Sequence, residues 1–240
     1  VSRAAEIADN LHRVRERVDQ ALIKAKRSSL GMCLLAVSKT VPKEDVAAAL
    51  GLGQRDFAES YGQEFRDKSK AVAELVRRDG LPEPRWHFIG PLQTNKVKYV
   101  AGKVVLVHTA GSREVLAELE RKAGALGIVQ DCLIQVNVAG EKQKHGIAPT
   151  ELPALLDGFV LSPHLRCVGL MVIPPYDPDP EKSRPHFAAL RQLRDEHRPG
   201  GRPGVVLAEL SMGMSHDLEV AIAEGATIVR VGTAIFGARA

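Results

Sequence analysis

Apolar positions recur along this chain in two ways, as stripes with a period of three to four and as short unbroken runs. Ile7, Leu11, Val14, Val18 and Leu22 stand three and four apart between charged residues, one stripe of a helix over about Ser2 to Arg27. Because it precedes the first strand, this helix is expected to pack across an end or flank of the core. Leu34-Leu35-Ala36-Val37 is an apolar run that stops at Ser38-Lys39-Thr40 and is broken by Pro42, the pattern of a buried strand with a lysine at its end.

From there strand and helix signals alternate without a break. Glu44 to Leu50 reads as a helix, Asp56 to Ser60 as a strand, Gln63 to Arg78 as a charged helix and Arg85 to Gly90 as a third strand. Thr94 to Ala101 is a short helix, Val104 to His108 a fourth strand, and Ser112 begins a helix that ends at Gly124 and Gly127. Cys132 to Val138, Cys167 to Ile173, Val205 to Leu210 and Ile228 to Val231 complete the strands. Their helices run over Pro149 to Phe159, Glu181 to His197 and His216 to Glu224.

About eight βα units in a chain of this length predict an α/β fold, a single (β/α)8 barrel of the TIM type over residues 1–240 with an extra N-terminal helix. An open doubly wound sheet is the structural alternative, since closure is not visible in sequence. Pro174 to Pro180 is the most loop-like stretch, a lid or a stiff surface loop, and no linker divides the chain.

Composition narrows the function. Apolar residues make up 45% and charged residues 26% of 240, an ordinary globular balance. The net charge of +4 comes without a basic stripe or aromatic platforms, so no nucleic-acid partner is expected, while a small anionic ligand is compatible. Cys33, Cys132 and Cys167 lie far apart in apolar runs and read as reduced core thiols, with no metal site. Val1-Ser2-Arg3-Ala4-Ala5-Glu6 holds no apolar signal region and no run reaches membrane-spanning length, so a soluble cytoplasmic protein is expected, as a monomer.

Barrel sites form where strands end. The residues offered there are Lys39, Ser60 with Tyr61, His87, His108, Asn137, Met171, Ser211 and Arg230 with Gly232 and Thr233. Burial of an ammonium favours the neutral amine, which makes Lys39 a candidate nucleophile toward an aldehyde or ketone; the plainer reading is a lysine that reaches water or pairs with a carboxylate. Ser211-Met212-Gly213-Met214-Ser215-His216 and Arg230-Val231-Gly232-Thr233-Ala234 combine small residues with hydroxyls after strands seven and eight, where barrels commonly hold phosphate. The plainer reading makes Ser215 a helix cap and Gly232-Thr233 a turn. An amine and a phosphate cup together fit a phosphorylated aldehyde, a description that pyridoxal 5′-phosphate meets. His108 and His145 are expected to be structural or solvent-facing, Trp86, Phe88 and Phe57 to be core, and Lys142 and Lys144 to be solvated charge.

Five separated stretches carry a resemblance: Ala36 to Thr40, Trp86 to Lys96, Gly169 to Met171, Leu210 to Ser215 and Val229 to Gly237. Together they resemble the pyridoxal phosphate homeostasis protein family, nearly end to end, and that family resembles the barrel domain of alanine racemase. The resemblance implies that Lys39 carries the cofactor as a Schiff base and that Ser211, Met214, Gly232 and Thr233 hold its phosphate. It likewise puts Arg230 at the pyridine nitrogen, His87 and Met171 near the ring, and Ser60 and Tyr61 beside it. The family usually has Glu-Asn-Tyr where this chain has Glu59-Ser60-Tyr61, so the contact of that asparagine does not carry over. An arginine at the ring nitrogen disfavours the pyridinium and weakens carbanion chemistry.

The function implied is a binding protein that buffers pyridoxal phosphate and passes it to apo-enzymes, without robust catalysis. The enzyme alternative is an amino-acid racemase in which Tyr61 or His87 opposes Lys39, and for it no second domain is expected. The other is a Schiff-base aldolase that needs no cofactor.

Overall fold

In a computed structural model that describes residues 2–141, 145–198 and 201–238, Cys33 to Ala36 of the first strand pair in parallel with Ile228 to Val231 of the last. That pairing closes the sheet into an eight-stranded barrel and removes the open-sheet alternative. The strands are β1 Cys33–Val37, β2 Asp56–Glu59, β3 Arg85–Phe88, β4 Leu106–Val107, β5 Gln130–Gln135, β6 Leu165–Met171, β7 Val205–Met214 and β8 Ile228–Val231. Between and around them lie α1 Arg3–Lys24, α2 Lys43–Gly51, α3 Gly62–Asp79, α4 Val97–Val100, α5 Arg113–Leu126, α6 Leu152–Val160, α7 Arg184–His197, α8 Leu218–Ala223 and α9 Thr233–Phe236. Lys142 and Lys144 lie outside the described residues.

Alternation along the strands divides the core in two. Leu35, Val37, Ala58, Leu106, Leu133, Met171 and Ile228 fill the barrel, while Ala36, Phe57, Trp86, Phe88, Val229 and Val231 face outward under the helices. The three aromatics expected in the core are therefore in its outer layer. His145 is exposed, and the three cysteines are free thiols.

Helix α1 buries the whole predicted stripe, each of its larger side chains contributing about 1.5–3 kcal/mol of apolar burial. Its N-cap is Ser2, whose side chain accepts from the Ala5 N–H. It packs on α2, α8 and α9, so it covers the seam where the barrel closes. Arg3 donates to the Phe236 carbonyl at 2.6 Å and Asn10 to the Ile235 carbonyl at 3.0 Å. These bonds satisfy last-turn carbonyls of α9 and fix that short helix beside the end of β8.

The largest departure from the sequence-based boundaries is β7. It runs on through Met214 instead of ending at Leu210, and α8 starts at Leu218 rather than His216. A register shift between Ser211 and Met214 bends the strand, and Gly213 sits at a φ of 90°, where an added Cβ would lie 2.5 Å from the Ala221 side chain. Asp217 anchors the following turn, accepting from the Met214 N–H at 2.7 Å and from the Ser183 hydroxyl at 2.8 Å. The Pro174 to Pro180 loop is pinned to this turn by a hydrogen bond between His216 Nε2 and the Asp177 carbonyl at 2.8 Å. Among the described residues no helix is long and apolar enough to cross a membrane.

Candidate functional site

Lys39 is half-buried in the turn after β1, between two neighbours that are firmly anchored. Ser38, fully buried, donates its hydroxyl to Glu59 Oε1 at 2.7 Å. Lys68 reaches across from α3 and donates to the Ser38 carbonyl at 2.5 Å, to Glu59 at 2.9 Å and to Glu64 at 2.6 Å. Glu64 in turn accepts from the Thr40 N–H at 2.6 Å, which holds Thr40 at a φ of 63°, a strained conformation for a β-branched residue. Burial pushes the Glu59 carboxyl up, and the Lys68 ammonium and Ser38 hydroxyl oppose that. The sequence pattern did not single out this clamp. Its one visible signal was the pair Glu64 and Lys68, four apart on α3.

A second cluster lies at the exits of β7 and β8. The Ser215 hydroxyl stands 3.3 Å from the Thr233 hydroxyl and 3.4 Å from the Ala234 N–H. Because Asp217 anchors the turn before α8, Ser215 is not the cap of that helix. With Gly232, which adds no side chain, these groups form a cup of hydroxyl and backbone donors of the kind that holds an anion. A cavity of about 640 Å³ adjoins it from the α1 side, lined by Arg3, Val37, Thr40, Asp45, Gly232 and Thr233 among others.

The third cluster fills the barrel axis. Arg230, only 3% exposed, donates through Nη1 to Ser211 Oγ at 2.8 Å and through Nη2 to the Val172 carbonyl at 2.8 Å. Burial lowers its pKa to about 10, with Asp217 acting the other way. Ser211 Oγ is also 2.9 Å from His108 Nδ1, His108 Nε2 is 3.0 Å from His87 Nδ1, and His87 Nε2 is 3.1 Å from Asp56 Oδ1. His108 is held well below the usual imidazole range, first by burial and then by the nearby His87 and Arg230.

Two expected positions change accordingly. Ser211 stands with Arg230 and His108 inside the barrel, while Ser215 is the hydroxyl that stands beside Thr233, because β7 runs on for four residues. His87 lines a cavity of about 420 Å³ at the N-terminal mouth, together with Cys33, Arg85 and Asp131, so it lies at the floor and not among the strand ends. The alternation along β3 turns its side chain into the barrel, and alternation carries no height along the axis.

The remaining candidates lie around the mouth. Met171 ends β6 fully buried, Met214 is half-buried at the end of β7, and Ser60 is buried after β2. Gly90 passes so close to Ser60 that an added Cβ would overlap the Ser60 carbonyl. Tyr61 is 55% exposed at the start of α3. At the floor, Cys33, Asp56 and His87 put a thiol, a carboxylate and an imidazole within 4.8 Å of one another. Asp56 there already pairs with Arg85 at 3.1 Å, and burial pushes the Cys33 thiol up to about 12.

The chain is similar to known proteins along nearly its whole length. Residues 3–240 match the family model for the alanine racemase N-terminal domain. The chain is 46% identical over 231 residues to the pyridoxal phosphate homeostasis protein of Aquifex aeolicus, covering 96% of this chain and 97% of the relative. Among solved structures, a protein of unknown function from Bifidobacterium adolescentis is similar with a TM-score of 0.91 and 35% identity, covering 98% of this chain and 97% of that one. PipY of Synechococcus elongatus PCC7942, solved with PLP bound, is similar with a TM-score of 0.82 and 32% identity, covering 96% of this chain and all of that one.

Proposed function

The chain belongs to the pyridoxal phosphate homeostasis protein family, within the alanine racemase N-terminal domain family, and from that membership we propose that it binds pyridoxal 5′-phosphate on Lys39 as a Schiff base and serves to buffer and deliver the cofactor. The observation that carries the reading is the register of β1 on β8. Leu35 lies opposite Arg230 and Ala36 opposite Val231, so the strand that leads to the Lys39 amine runs beside the one that presents Arg230, Gly232 and Thr233. Neighbouring strands are about 4.8 Å apart, a spacing that supports amine, cation and anion cup serving one phosphorylated ring.

When bound, pyridoxal phosphate supplies the aldehyde that a lysine amine captures. The chain's own residues do the rest. Ser38, Thr40 and the Lys68 clamp fix the backbone on either side of Lys39. Ser215, Thr233 and the backbone around Gly232 would hold the phosphate through hydroxyl and N–H donors. Arg230 stays charged at neutral pH with a pKa of about 10 and would disfavour protonation of a ring nitrogen set against it, which suits holding the group more than using it for carbanion chemistry.

A carrier is favoured over a racemase by two side chains. His87 points to the opposite mouth and Tyr61 is 55% exposed, so neither is held against the lysine as an opposing acid or base. In this reading the protein acts as a cytoplasmic monomer and hands its cofactor to apo-enzymes. Titration with pyridoxal phosphate, followed by incubation of the loaded protein with L-alanine in deuterated water and then with an apo-enzyme, tests it. One cofactor per chain, no α-deuterium in the alanine and reactivation of the apo-enzyme are expected. Deuterium exchange at enzyme-like rates contradicts the carrier reading, and capture of a keto substrate in place of the cofactor would make the protein an aldolase.

A further inference from the structure

Asp56, His87, His108, Ser211 and Arg230 form one hydrogen-bonded line from the floor of the barrel to its mouth, with a carboxylate at one end and a guanidinium at the other. We propose that Asp56, His87 and His108 are positioning residues which fix the direction of every proton in this line and thereby orient Ser211 and Arg230 toward the cofactor. The inference rests on the reading of Arg230 as the partner of the ring nitrogen.

The donor and acceptor inventory decides the direction. Arg230 can only donate, so Ser211 Oγ accepts from Nη1. Asp56 as a carboxylate can only accept, and its Oδ1 is also 3.1 Å from the Arg85 guanidinium, which can only donate. The His87 Nε2–H must therefore donate to Asp56, which leaves His87 Nδ1 bare to accept from the His108 Nε2–H. His108 Nδ1 is then bare and accepts the Ser211 hydroxyl proton. Every link pairs one donor with one acceptor while both histidines stay neutral. The reverse direction would set a bare His87 Nε2 against a carboxylate oxygen at 3.1 Å, two acceptors face to face, unless an extra proton entered the line. That proton would sit on His87, which would then donate from both ring nitrogens, an arrangement that the imidazole spectrum described below distinguishes from the neutral line.

The consequence reaches the mouth. With its proton given to His108, Ser211 offers Arg230 a lone pair only. The Val172 carbonyl takes Nη2, so the guanidinium plane is held at two points with no competing donor. Asp56 does this from the other end of the barrel without touching any ligand.

Imidazole 15N NMR of the cofactor-free protein tests the direction, and it does not depend on the cofactor reading. Both His87 and His108 are expected as neutral Nε2–H tautomers at pH 7. In Asp56→Ala the tautomers are expected to mix or reverse and pyridoxal phosphate affinity to fall about fivefold, the size of one net hydrogen bond. Asp56→Asn is expected to restore both, because Arg85 holds the amide oxygen where the carboxylate oxygen stood. A Nδ1–H tautomer at either histidine in the wild-type protein, or an Asp56→Ala protein with unchanged tautomers and affinity, overturns the proposal. Borohydride reduction of the same loaded variants reports separately whether Lys39 still captures the cofactor. A wild-type protein with the expected tautomers that captures none would overturn the cofactor reading and leave the relay standing only as a structural element.

Discussion

The Ser215 hydroxyl lies 3.3 Å from that of Thr233 across the seam between the exits of β7 and β8. Neither group is large or charged, and each would pass for a turn residue alone. Their meeting turns two ordinary loops into a donor cup beside the strand that leads to Lys39.

Removing both hydroxyls is expected to weaken pyridoxal phosphate binding about tenfold or more, since hydrogen bonds to charged groups are worth about 1.5–3 kcal/mol each. Pyridoxal, which has no phosphate, is expected to bind Ser215→Ala/Thr233→Ala as it binds the wild type. Parallel absorbance titrations with the two ligands measure the difference. An equal loss for both would place the phosphate elsewhere.

Lys68 stands 2.9 Å from Glu59 with side chains 7% and 0% exposed. Lys68→Met leaves the Glu59 charge buried without its partner and is expected to lower stability by about 3–5 kcal/mol. Glu59→Gln/Lys68→Met removes that charge and is expected to be more stable than Lys68→Met alone. Urea denaturation of the four proteins of the cycle gives the coupling. Additive losses would mean that the two groups act independently.

The helical stripe of α1 and the succession of strands and helices were legible because periods of 3.6 and 2 leave their mark on neighbouring residues. Closure was not, because β1 meets β8 across nearly the whole chain. The lysine turn was legible as chemistry, while its clamp was hidden: Lys68, on a helix rich in charges, looks like a solvated residue. Ser211 and Ser215 were both visible, but Gly213 between them reads as part of a loop after a strand that ends at Leu210, and it is a bend within that strand. Asp56, His87 and His108 were readable only as isolated polar residues, because their contact depends on the depth each strand reaches in the barrel.

His108 is neutral and buried in the native protein, with its pKa held below the ordinary 6.5. The unfolded chain therefore binds a proton in a window where the native one does not. The stability this group contributes is fully present above about pH 6.5 and is lost as pH falls from there toward the lower native value, by at most about 1.4 kcal/mol per pH unit. Denaturation midpoints between pH 7.5 and 5.5 are expected to fall less steeply in His108→Asn than in the wild type. Parallel pH profiles would show that His108 takes up its proton without unfolding.

The most direct test of the central claim is borohydride reduction of the protein loaded with pyridoxal phosphate, followed by peptide mass mapping. A visible absorption band that is lost on reduction, with one pyridoxyl group on the peptide that carries Lys39, is the expected result. A colourless protein, or a label spread over other lysines with Lys39 unmodified, would contradict the assignment of this barrel mouth as the cofactor site.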